Sequence, residues 1–305
     1  MSRFLDALHF GRVLLMDGAM GTELQRAGLP AGACGEEWNR SRPDAVRAIH
    51  EAYLAAGADV LLTNTFQSNP AALARHGLEA QCEAINEAAL AMARAVPGKP
   101  FVLAGIGPLP GDANDLTDPN VLRLVVGTMI TADGLLLETW SDPVALLIVP
   151  TICRPLLELS GLPTLVSIAY RRDGAGRICS FSGHPPEWFA MQAIGTGVAA
   201  LGVNCGKDIG MDDVIEIVRR YRKVTDLPLF ARPNAGTPTR QGDRWVYPMT
   251  PEQLAGRLPD LLEAGVSMVG GCCGTTPEHI RALRPVVDRW NARHAGGEKS
   301  NARDG

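Results

Sequence analysis

The sequence predicts an α/β chain folded as a closed (β/α)8 TIM-type barrel, and three observations carry that prediction. About eight short apolar runs bounded by Gly, Pro, Asn or Asp recur along almost the whole length. Most are separated by longer segments of helical periodicity, the alternation that builds parallel sheets. The rival, an open doubly wound sheet, needs a phosphate-binding glycine fingerprint. The nearest stretch, GIGPLPG (105–111), has the wrong spacing and two prolines where a helix would begin.

In chain order the expected strands are RVLLMDG (12–18), DVLLTNTF (59–66), FVLAGIG (101–107), GLLLETW (134–140), TLVSIAY (164–170), ALGVNCG (200–206), PLFARPN (228–234) and VSMVGGC (266–272). Helices are expected over 42–57, about 120–132, 211–224, 250–265 and 276–290. The last two open with Thr-Pro-Glu: a capping residue, a helix-ready proline and an acid that suits the helix dipole. No internal repeat or linker divides the chain. One barrel domain over 1–293 and a polar tail, HAGGEKSNARDG (294–305), are the expected organisation.

Composition narrows the function classes. A formal charge of −4 over 305 residues argues against a nucleic-acid surface. The densest basic run, RRYRK (219–223), sits at the end of an expected helix, where cations suit the dipole. Asp6, His9 and Arg12 interrupt the first residues too often for a signal peptide, and no later run approaches membrane-spanning length, so a cytoplasmic protein is expected. Seven cysteines, an odd number scattered through a long chain, favour reduced thiols over a disulfide framework.

A barrel of this kind works at the C-terminal ends of its strands. Those ends carry Asp17, Asn64, Thr65, Glu138, Asn204, Cys205, Asn234, Cys272 and Cys273. Cys205 read alone is a small buried hydrophobe. The doublet Cys272-Cys273 says more, because neighbours on a regular strand point to opposite faces, and both reach one ion only if the backbone leaves strand geometry. Flanking Gly270, Gly271 and Gly274 make that departure cheap. Three thiolates with an open fourth position form a catalytic type of zinc site. Cys34, Cys82, Cys153 and Cys179 share no spacing and read as structural, and His279, inside the last expected helix, reads as a surface or supporting residue.

The motifs DGAMGTELQRAG (17–28), WNRSRPDAVRAIHEAYLAAGADVLLTNTF (38–66), LLLET (135–139), GVNCG (202–206), PNAGTP (233–238) and GGCCGTTPEHI (270–280) closely resemble, in order, those of the homocysteine S-methyltransferase family. The resemblance implies a barrel that binds Zn2+ through Cys205, Cys272 and Cys273, with the sulfur of homocysteine as fourth ligand and methionine as product. It also implies that Asp17, with Gly18 beside it, and Glu138 hold the amino-acid end of the substrate. Without the resemblance Asp17 reads as a turn residue and Glu138 as a salt-bridge partner.

The methyl donor is left open among S-methylmethionine, S-adenosylmethionine, betaine and a separate methyl-corrinoid protein. The segment between GIGP and GLLLET looks shorter than its family counterpart. The alternatives are a related thiol or selenol as substrate, a non-catalytic homocysteine or zinc sensor, and a redox protein using vicinal thiols. The last is disfavoured by the strained ring that neighbouring cysteines close.

Overall fold

The computed structural model describes residues 3–108, 118–143, 146, 149–241 and 244–294. Eight parallel strands appear where apolar runs predict them: β1 (Leu14–Leu15), β2 (Val60–Leu62), β3 (Phe101–Ile106), β4 (Gly134–Trp140), β5 (Thr164–Ile168), β6 (Ala200–Asn204), β7 (Leu229–Arg232) and β8 (Met268–Val269). Each pairs with its sequence neighbours, and β8 returns to β1. A bridge between Met16 and Val60 closes the circle, with Asp17 N–H on Val60 O at 2.9 Å and Asp59 N–H on Leu15 O at 2.6 Å. Closure leaves no sheet edge to protect.

Helices stand over the five expected spans, at Pro43–Ala55, Pro119–Gly127, which stops short of 132, Met211–Arg222, Pro251–Glu263 and Pro277–His294, and three further helices, Cys82–Ala95, Val149–Ser160 and Pro186–Ala193, complete the alternation. Thr250 caps the helix after β7, accepting from Gln253 N–H while Gln253 returns a bond to Thr250 N–H. Arg220, in the basic run, forks onto Glu187 at 2.5 and 2.6 Å. None of the described helices is long and apolar enough to cross a membrane. The expected tail from residue 295 on lies outside the described residues.

Side-chain alternation along the strands divides the apolar residues into two layers. Leu15, Leu61, Ala104, Leu135, Leu137, Val166, Leu201, Val203, Ala231 and Val269 pack outward under the helices. Their neighbours Leu14, Met16, Val60, Leu62, Leu103, Leu136, Leu165, Ala200, Phe230 and Met268 fill the barrel. Gly202 belongs to this inner face, and a Cβ there would fall 2.4 Å from the Phe230 ring, so glycine makes the room that Phe230 fills. The helix Arg3–His9 plugs the floor with Phe4 and Leu8, both buried in the inner cluster.

His50, on the helix Pro43–Ala55, is fully buried, and neither ring nitrogen has a partner among the described residues. Burial pushes its pKa down from 6.5 to about 4. The neutral ring is therefore the folded form, and between those values the unfolded chain binds the extra proton. Wild-type stability will fall as pH drops from 6.5 to about 4, by about 3 kcal/mol from this group. Urea unfolding of His50→Leu should lack that increment, and equal slopes in both proteins would refute it. Phe4→Ala, which opens the floor, is expected to destabilise by about 3–5 kcal/mol in the same assay.

Candidate active site

Beyond the apolar layer the same inward registers turn polar at Glu138, Ser167, Asn204 and Arg232, and Gly105 leaves the room that Glu138 fills. This layer, at the C-terminal mouth, holds a buried ionic group. Arg232 Nη1 donates to Glu138 at 2.8 Å, and Nη2 donates to Asp17 and to Gly18 O, each at 3.3 Å. Asp17 also accepts from Leu62 N–H at 2.7 Å. The three residues are 2–9% exposed. Burial pushes Asp17 up to about 7 against the opposing pull of Arg232, and it raises Glu138 as well. Burial alone would lower the Arg232 pKa, and the two carboxylates more than reverse it.

Glu138 sits where β4 breaks register between Leu137 and Trp140, and Thr139 adopts φ 64°. A left-handed β-branched residue is strained by about 1–3 kcal/mol. Asn204 offsets that strain: its Oδ1 accepts from Thr139 N–H at 3.0 Å, and its Nδ2 donates to Thr139 Oγ1 at 2.7 Å. Ser167 adds a bond to the same Oδ1 at 2.6 Å, and Nδ2 reaches Cys272 Sγ at 3.6 Å. One buried amide thus ties β4, β5 and β6 to the turn after β8.

The three singled-out cysteines meet. Cys205 and Cys272 each lie 4.0 Å, sulfur to sulfur, from Cys273, and all three sulfurs fall within 4.8 Å of one another. Cys205 itself carries a left-handed backbone, φ 55°, followed by Gly206 at 116°. The doublet lies beyond β8, which ends at Val269 and not at residue 272 as the apolar run suggested. Cys272 N–H bonds Pro233 O, and Thr275 N–H closes a turn on Cys272 O.

The flanking glycines serve in two ways. Gly274 takes φ 79°, whereas Gly270 and Gly271 allow close approach, since a Cβ on either would collide with Asp17 O or the Thr275 side chain. Thiols of Cys272 and Cys273 donating to Cys205 pull its pKa down to about 3, and the same sharing raises Cys272 to about 11 and Cys273 further. A second thiolate would stand beside the first, a like charge that a cation would offset.

The donor set fits a thiophilic cation. A tetrahedral centre with metal–sulfur bonds of about 2.3 Å spaces its sulfurs about 3.8 Å apart, close to the observed separations. Asn234, whose side chain hydrogen-bonds toward Cys205, keeps a buried Oδ1 without a partner among the described residues.

Other expected residues do structural work. Asn64 ties the loop at Gly35 and Asn39, and Thr65 bonds Gly105 O. Gly18 is required by packing, because a Cβ would fall 2.8 Å from Thr275 and Tyr53. His279 is buried and not a surface residue: its nitrogens engage Thr276 and Met249 O as the last helix docks on the β7 loop. Cys82, Cys153 and Cys179 are buried and Cys34 half-buried, away from the cluster.

Sequence reasoning missed Arg232, whose signal was a lone charge in an apolar run two residues after inward-facing Phe230. It also missed Tyr247, whose ring covers Gly274 and whose hydroxyl, its pKa raised by burial and by Cys273, sits beside that thiol.

Fold and site together define a (β/α)8 barrel with a three-thiol cluster, a candidate cation site, at the C-terminal mouth of its strands. The profile of homocysteine S-methyltransferases matches residues 14–287, and the chain belongs to that family. It is 32% identical over 307 residues to methionine synthase of Mycobacterium leprae, and 32% over 303 residues to that of Mycobacterium tuberculosis. These alignments cover 92% and 90% of this chain but 25% of either relative, so the chain spans a quarter of their length. The metallated form of the homocysteine methyltransferase MmuM from Escherichia coli superposes with a TM-score of 0.72 at 26% identity, covering 93% of this chain and 99% of that one.

Asn204→Ala removes the amide bond to Cys272 and the brace on Thr139. Metal affinity, measured by competition with a chelator, should fall about 10- to 100-fold. Unchanged affinity would show that Asn204 does not support the centre.

Proposed function

We propose that this chain transfers a methyl group to the thiol of homocysteine, giving methionine, with zinc held by Cys205, Cys272 and Cys273. The observation that carries the reading is the meeting of three thiols beside a buried carboxylate pair at the barrel mouth. Family membership supports it. Zinc suits an all-sulfur donor set, and when bound it supplies the charge that keeps the substrate sulfur a thiolate near neutral pH.

The chain's own residues do the rest. Asp17 and Glu138, with Gly18 beside them, hold the amino-acid end, while Asn204 fixes the position of Cys272. The barrel wall aligns the sulfur with the donor, so that a sulfur lone pair forms the new S–C bond as the donor's bond to methyl breaks, its electrons leaving with the donor. The thiol proton is lost before that step.

The donor is one of S-methylmethionine, S-adenosylmethionine, betaine or a separate methyl-corrinoid protein. The shortened segment noted in the sequence lies partly at 109–117, outside the described residues. A cytoplasmic location fits this reading, with neither nucleic acid nor membrane as partner.

Replacing Cys205, Cys272 or Cys273 by Ala should abolish stoichiometric zinc, read by metal analysis, and methionine formation with it. Full zinc in the triple variant would sink the assignment. Tight homocysteine binding without turnover on any of the four donors would reassign the chain as a sensor. A second expectation concerns pH. Because Asp17 is pushed up to about 7, its charge is gained as pH rises through that value. Homocysteine affinity should therefore strengthen between about pH 6 and about pH 8, and Asp17→Asn should flatten that profile.

A further inference from the structure

We propose that Arg232 is a specificity-determining residue that recognises the α-carboxylate of the substrate, so that the pocket selects amino-acid thiols over simple aminothiols. The inference rests on the reading of homocysteine as substrate and of Asp17 and Glu138 as its ammonium site.

Those carboxylates are not free to meet an ammonium in the simplest way, because both already engage Arg232. With Asp17 and Glu138 ionised and Arg232 cationic, the group carries one net negative charge. An entering ammonium brings it to neutrality, and the substrate carboxylate that arrives with it then needs a cation of its own. Arg232 is the cation that acts on both Asp17 and Glu138.

Its guanidinium has donors to spare. The buried Nε–H finds no acceptor among the described residues, and such a group is a place where an acceptor is missing. A planar guanidinium suits a carboxylate better than any other side chain does. Geometry also agrees: Arg232 bonds Glu138, whose chain neighbour Thr139 is held by Asn204, and the same Asn204 amide reaches Cys272 Sγ at 3.6 Å, so a carboxylate on Arg232 lies near the thiol cluster, as a molecule with three carbons between sulfur and carboxylate requires.

The two links to Arg232 are unequal, 2.8 Å to Glu138 and 3.3 Å to Asp17. The longer one is the link that exchanges. Substrate ammonium takes the Asp17 side, and the released Nη2 turns to the substrate carboxylate while Glu138 keeps Nη1. No bond is made or broken beyond hydrogen bonds and ion pairs, and no proton is transferred.

The test is calorimetric binding to zinc-loaded protein of two thiols, homocysteine and 3-aminopropane-1-thiol, which shares its ammonium and thiol but lacks the carboxylate. Wild type should favour homocysteine, and Arg232→Gln should shrink that preference about ten- to hundred-fold. Arg232→Lys, which keeps the charge and loses the planar fork, should retain part of the preference, and is read alone if the Gln variant does not fold. Zinc content confirms an intact site in each. If both affinities fall together and their ratio stays at the wild-type value, Arg232 merely braces the carboxylates and the inference is overturned. Failure of wild type to bind homocysteine at all would overturn the proposed function and this inference with it.

Discussion

Inside a closed barrel each strand can place only every second side chain, and the rest of this structure follows from that constraint. The inward registers are filled from the floor by Phe4 and Leu8, then by an apolar layer from Leu14 to Met268. One step higher the same registers hold Glu138, Ser167, Asn204 and Arg232. The apolar layer anchors the strands, and the polar layer inherits their positions. Charges buried this deeply are tolerable because Arg232 on β7 reaches across the barrel mouth to carboxylates on strands it does not pair with, Glu138 on β4 and Asp17 after β1.

The polar layer and the thiols form one electrostatic system. Asn204 bonds both the strained Thr139 beside Glu138 and the sulfur of Cys272. Arg232 spans both carboxylates and influences Cys272 as well. On the proposed function, a cation at the thiols and a substrate at the carboxylates would therefore not bind independently. Each would change the charge the other experiences through one arginine and one amide.

Much of the fold was legible in the sequence, because strands buried on both faces read as continuous apolar runs between turn residues. Their ends were less legible. β8 stops at Val269, since the chain must leave the ladder for Cys272 and Cys273 to face Cys205, a bend that hydropathy does not record. The three cysteines were found from their place at strand ends and from family motifs. Arg232 was overlooked because PLFARPN reads as one apolar strand. Its importance appears only when Phe230 is assigned to the inner face and closure brings β7 level with β1 and β4. The left-handed backbone at Cys205 was not anticipated, because glycine freedom was expected only around Cys272 and Cys273.

The plug formed by the helix Arg3–His9 has a kinetic meaning. Among the described residues the floor is covered by Phe4 and Leu8 and the interior is filled by the apolar layer above them, which leaves the thiols approachable from the rim at the strands' C-terminal ends. Whatever arrives second covers whatever arrived first. Entry and exit then become a queue rather than a free exchange. On the proposed reading, a cation at the thiols would then lie beneath the substrate that follows it, an order set by the packed interior as a whole.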